Sequence, residues 1–179
     1  MRILGIDPGS QATGFGVIEG AAGALVHVSH GTLRAPRSAE ISSRLATIYR
    51  GLREVIENHR PDTVVVERTF VAASPRSALV LGEARGAALA AAGEHGLVVT
   101  SYAAREIKQA VTGFGGAAKR DVQDMVRRLL TLERLPASDA ADALAAAICH
   151  AHRGGLPEGV GRRPVRRRGR RGGRFVVRG

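Results

Sequence analysis

The 179 residues give room for one ordinary domain and an extension rather than two full domains. A single cysteine, Cys149, excludes an intrachain disulfide framework, and the absence of any run of about 18 apolar residues excludes a membrane-spanning helix. The formal charge of +11 is concentrated in residues 151–179, where ten arginines face one acid, Glu158. Such a cationic segment on a near-neutral body points to an anionic polymer as partner, although a coding bias toward arginine would leave the same mark.

In chain order, Arg2–Asp7 reads as a buried strand and Pro8-Gly9-Ser10 as a turn. Met1 leads straight into the apolar run Ile3–Ile6, too short for a secretory leader, so a soluble cytoplasmic protein with no membrane partner is expected. Thr13–Glu19 and Leu25–Leu33 read as two further strands, which makes the first third a β-meander. Ile41, Leu45, Ile48, Leu52, Val55 and Ile56 recur at helical spacing and predict an amphipathic helix from about 38 to 58. Thr63–Val66 is a fourth strand, apolar enough to be buried on both faces, and ends at Glu67. An Ala/Gly-rich helix over 77–93, a fifth strand over Leu97–Ser101, and helices near 103–111, 119–131 and 139–152 complete the pattern. The order predicts an α/β fold: a mixed five-stranded sheet with helices on both faces. Residues 1–152 form the expected domain. From Arg153 the Gly, Pro and Arg content predicts a disordered basic tail over 153–179.

Four carboxylates stand out. Asp7 and Glu67 end the first and fourth strands, so parallel neighbours would bring both to the carboxyl-end edge of the sheet. Asp139 and Asp142, three residues apart, share one helix face. Two unit charges at 4 Å cost about 4 kcal/mol at an effective dielectric near 20, which cations would offset. Oxygen-only ligands select hard ions, Mg²⁺ before Mn²⁺. Each position also has a plainer reading: Asp7 as a turn residue before Pro8-Gly9, and Asp139 and Asp142 as an acidic first helical turn capped by Ser138. Glu67 is harder to explain that way, because an unpaired buried carboxylate is costly. Cys149, His150 and His152 are too close in sequence to share a helix face and do not read as a zinc site.

Ile-Leu-Gly-Ile-Asp-Pro-Gly-Ser at 3–10 with Thr13-Gly14-Phe15-Gly16 resembles the opening of the RuvC family of Holliday-junction resolvases. Glu67 with Phe70, Ser77-Ala-Leu79 and Leu81-Gly-Glu-Ala-Arg-Gly86 resemble its second block. Tyr102-Ala-Ala-Arg105 with Lys108-Gln109 and Lys119, and then Asp139-Ala-Ala-Asp142-Ala-Leu-Ala145, resemble the third and fourth. The likeness spans about residues 2–152. It implies a ribonuclease-H-like fold, with Asp7, Glu67, Asp139 and Asp142 as catalytic, metal-holding acids. Two Mg²⁺ ions per site are implied, roughly 3.5–4 Å apart, with Mn²⁺ as substitute. It further implies cleavage of four-way junction DNA to 5′ phosphate and 3′ hydroxyl ends by a homodimer, and cooperation with the RuvA–RuvB branch-migration complex.

By the same resemblance Phe70 would stack on an unpaired base, and Lys108 and Lys119, the only lysines, would contact DNA near the scissile phosphate. Read plainly, Phe70 would be a core aromatic and the lysines a solvated surface. Ser74 and Arg76 depart from the family pattern in the loop after Glu67. Two other classes compete. An actin-like ATPase or sugar kinase is prompted by Gly5-Ile6-Asp7-Pro8-Gly9, but lacks room for two large lobes. A non-catalytic DNA-binding module would leave four acids repelling phosphate. The small residues Ala78, Gly82, Gly86 and Ala90 form a stripe that faces either a partner helix or the chain's own sheet.

Overall fold

The computed structural model describes residues 1–21, 24–68 and 74–155. Phe70 and residues 156–179 lie outside them. The sheet is built from β1 (Arg2–Asp7), β2 (Ala12–Ala21), β3 (Ala24–Arg34), β4 (Thr63–Arg68) and β5 (Val99–Ala103), in the order β3-β2-β1-β4-β5. The pairs β1–β2 and β2–β3 are antiparallel, whereas β1–β4 and β4–β5 are parallel. The predicted mixed five-stranded sheet is therefore present. The crossover helices α1 (Ile41–His59) and α2 (Pro75–Glu94) return the chain for the parallel pairs, and α3 (Ala104–Thr112), α4 (Lys119–Leu129) and α5 (Ser138–His150) follow.

The alternation of side chains along the strands divides the core in two. Leu4, Ile6, Val64 and Val66 pack with Ile48, Leu52, Val55 and Ile56 of α1 and with Ala88, Ala91 and Ala92 of α2. Ile3 and Val65 point the other way, onto Ile107 of α3, Val122 and Val126 of α4, and Leu144 and Ile148 of α5. Helices thus cover both faces. The buried positions of α5 run from Ala140 to Cys149 with only Asp142 interrupting them, as expected of a helix enclosed on every side.

That enclosure depends on glycine. Any Cβ at Gly5 of β1 would collide with the carbonyl of Ala143, and one at Gly14 of β2 with the carbonyl of Asp139. The backbone of α5 therefore rests directly on the strands, which fixes the acid-bearing end of the helix over the end of β1.

The strand and helix boundaries depart from expectation in instructive places. α1 starts at Ile41 rather than near 38, and its end is turned by Arg60 in the left-handed region (φ 44°), whose N–H reaches the carbonyl of Ile56. α2 starts at Pro75, in the first helical turn, with Ser74 accepting from the Ser77 N–H at 3.2 Å. β5 begins two residues later than predicted. Leu97 closes the C-terminus of α2 instead, its N–H bonded to the carbonyl of Ala92 at 3.1 Å, and its side chain joins the α1–α2 core. Ser138 is not a cap but the first residue of α5; Ala137 precedes it, and no side-chain cap bond forms. The stripe on α2 faces outward. Ala84, Ala88, Ala91 and Ala92 meet the core, while Gly82 and Gly86 have nothing within 4 Å of where a Cβ would stand.

The described residues extend three positions into the expected tail, to Gly155. A wide turn, Ala151–Gly155, follows α5, and the Arg153 guanidinium pairs with Glu106 at 2.7 Å and lies 5.4 Å from the centre of the Tyr102 ring.

Candidate active site at the carboxyl edge of the sheet

The register of β1 against β4 pairs Ile6 with Val66, so Asp7 and Glu67 are the next residues on adjacent parallel strands. Both fall on the α5 face of the sheet, in phase with Gly5 and Val65. α5, seated on Gly5 and Gly14, brings Asp139 and Asp142 to the same edge. All four predicted carboxylates therefore converge on one place from three elements.

Their mutual influence is visible in protonation. Burial first, then the charges of Asp142, Glu67 and Asp139, push the Asp7 carboxyl from its ordinary 3.8 up to about 7, against the pull of Lys119. Burial and then Asp142 also raise Glu67, opposed by Lys119 and Lys108. The Lys119 ammonium contacts Asp142 at 2.7 Å. Burial works to lower the lysine's pKa, but its hydrogen bond to Asp142 and the charges of Asp142, Asp7 and Asp139 together raise it.

Among the described residues no three His, Cys, Asp or Glu side chains stand close enough to close round one ion as placed. Asp142 is drawn onto the lysine instead. The donor set still suits a hard divalent cation: it consists of carboxylate oxygens only, partly buried and mutually repelling. A divalent cation would relieve that repulsion in the same sense as Lys119 does. Beside the acids is a cleft of about 160 Å³ lined by Glu67, Lys108, Lys119, Asp142, Ile107 and Val122. Lys108 reaches it from α3 and is steadied by a 2.8 Å bond from its ammonium to the carbonyl of Ala117. Both lysines thus line the cleft beside the acids, Lys119 with its side chain 58% exposed.

Phe70 lies outside the described residues, so its position is not part of this geometry. Arg76, at the start of α2, lines a separate cleft of about 460 Å³ with Ser10, Gln11, Arg44 and Ser77. Arg44 was not singled out by the sequence, because a basic residue on an amphipathic helix has no distinguishing pattern. Cys149, His150 and His152 diverge. The Cys149 thiol contacts the carbonyl of Glu106 at 3.8 Å, His150 Nδ1 the Tyr102 hydroxyl at 3.0 Å, and His152 Nδ1 the carbonyl of Ala110 at 3.1 Å.

A mixed sheet of this order, covered by helices on both faces, is the ribonuclease-H-like architecture. Residues 3–150 match the family model described as crossover junction endodeoxyribonuclease RuvC. A Ralstonia nicotianae protein of that name is 49% identical over 178 residues, covering 95% of this chain and 98% of the relative. One from Burkholderia orbicola is 51% identical over 154 residues, covering 86% of this chain and 85% of its own length. Among solved structures, Thermus thermophilus RuvC in complex with a Holliday junction substrate superposes with a TM-score of 0.81 at 36% identity. That match covers 86% of this chain and 94% of the other. The chain belongs to the RuvC family of crossover junction endodeoxyribonucleases. The family's nucleases depend on metal ions.

Proposed function

We propose that this chain resolves four-way DNA junctions by paired nicks in recombination and repair, with residues 1–152 as the nuclease domain. The observation that supports it most directly is the meeting of Asp7, Glu67, Asp139 and Asp142 at one sheet edge beside two lysines. The Thermus relative, solved in complex with a Holliday junction substrate, supports the choice of DNA.

In this reading the four carboxylates hold divalent cations, Mg²⁺ before Mn²⁺ and two per site. When bound, these would supply activation of a water and stabilisation of the leaving 3′ oxygen. The protein's own part is positional. Asp7 and Glu67 are held by neighbouring strands, and Asp142 is held by Lys119 at 2.7 Å until phosphate arrives. Lys108 and Lys119 attract the scissile phosphate and offset the charge of the acids. Phe70 stacks on an unpaired base at the junction centre. A homodimer places two such sites on symmetry-related strands, leaving 5′ phosphates and 3′ hydroxyls. The RuvA–RuvB branch-migration complex is the proposed partner, and the cytoplasm the proposed location.

The test is substitution at the acids. Asp7→Asn, Glu67→Gln and Asp142→Asn should each lower junction cleavage by at least a hundredfold while junction affinity, read by gel shift in Ca²⁺, stays within a few-fold of the parent. Cleavage at the parental rate by Asp7→Asn in Mg²⁺ would remove the site.

A further inference from the structure

The four phenylalanines and two tyrosines of this chain are its entire aromatic complement. Spending one of them in water is therefore notable, and Phe114 is 67% exposed. It sits in the loop Gly113–Ala118 between α3 and α4, the segment that delivers Lys119 to the acids. The loop is held from several sides. Gln109 of α3 donates from Nε2 to the carbonyl of Gly113 at 2.6 Å and accepts the Gly115 N–H at 3.0 Å. The Phe114 N–H reaches the Thr112 hydroxyl at 3.2 Å, and its carbonyl accepts the Ala117 N–H at 3.2 Å. The carbonyl of Ala117 in turn receives the Lys108 ammonium at 2.8 Å. One unbroken series of hydrogen bonds therefore ties the backbone of Phe114 to a lysine of the catalytic cleft.

The ring itself lies across Gly116, where an added Cβ would stand 2.7 Å from Cζ, so the glycine keeps one face of the loop open for it. An exposed aromatic on a floppy loop would be unremarkable. An exposed aromatic on a braced loop, whose backbone bonds to Lys108 and which runs into Lys119, is a preformed platform for a flat, anionic-backboned ligand. Asp121, the nearby acid, is engaged in capping α4 through the Ala118 N–H at 3.2 Å.

We propose that Phe114 stacks on a nucleobase of the DNA strand that passes over the catalytic cleft, a second aromatic contact besides the one assigned to Phe70. The proposal rests on the nuclease reading above. Phe114 is a binding residue: it holds a base of that strand and takes no part in bond making. Because stacking is uncharged, it adds affinity without adding salt dependence.

The chain contains no tryptophan, so Phe114→Trp introduces a single indole as reporter. With the full-length protein and an immobile four-way junction in Ca²⁺, the indole fluorescence should be quenched on binding. Phe114→Ala should weaken junction affinity by about 5- to 100-fold with an unchanged salt slope and an unchanged melting temperature. Phe114→Trp should restore affinity, and at saturating junction in Mg²⁺ the alanine variant should keep most of kcat. An indole signal indifferent to DNA, or parental affinity in Phe114→Ala, would overturn the assignment. Cleavage by the parent protein in the same series reads the nuclease assignment separately, since the fluorescence test does not require it.

Discussion

Asp7 is the residue on which the site's electrostatics concentrate. Its carboxyl, raised to about 7 by burial and by three neighbouring acids, is mostly protonated in the folded protein at pH 5 and ionised in the unfolded chain. The folded state then binds the extra proton, so stability falls as pH rises from about 4 through 7. The full shift corresponds to at most about 4 kcal/mol, a large share of a typical domain's stability. In the absence of divalent cations, the melting temperature should therefore drop between pH 5 and 8. Asp7→Asn should flatten that drop and melt higher than the parent at pH 8. Added Mg²⁺ should raise the parent's melting temperature at pH 8 far more than that of Asp7→Asn. A flat profile in the parent would mean that the acids do not crowd as described. The plainer reading of Asp7 as a turn residue does not account for its coupling to Glu67, Asp139 and Asp142.

At the scale of elements, β1, the glycines of β2 and the first turns of α5 form one device. Hydrophobic periodicity made the strands and helices legible, and their order was enough for a mixed sheet. The positions of Asp7 and Glu67 at strand ends were legible for the same reason, since period-2 alternation sets both end and face. What the sequence could not show was the seat of α5. Gly14 and Gly16 were visible as glycines in a strand, but only the close approach of Gly14 to the Asp139 carbonyl and of Gly16 to Leu144 explains them. The Lys119–Asp142 pair was equally hidden, because the residues are distant in sequence and on different helices. The small stripe of α2 was ambiguous until burial was known. It faces outward among the described residues, and the space at Gly86 is open. Gly86→Leu should accordingly fold with a native circular dichroism spectrum and a melting temperature close to the parent's. If that stripe is the dimer surface, light scattering should report a monomer. A fully dimeric Gly86→Leu protein would place the interface elsewhere.

At the scale of the whole molecule, charge is divided between a near-neutral domain and a basic segment. Arg153 belongs structurally to the domain through Glu106 and Tyr102, so a truncation that tests the segment should keep residues 1–155. Removing 156–179 should leave junction cleavage intact and weaken binding to linear duplex. The log–log salt slope should flatten by about 0.9 for each phosphate that the segment had neutralised. An unchanged slope would make the arginines bystanders of composition. The parent protein should be incubated in Mg²⁺ with an immobile four-way junction and, alongside, linear duplex of the same sequence, with both strands labelled. Paired nicks at symmetry-related positions in the junction, ligatable without further processing and accompanied by an intact duplex, are the expected result. A junction that stays uncut, or a duplex cut as readily as the junction, would contradict the assignment.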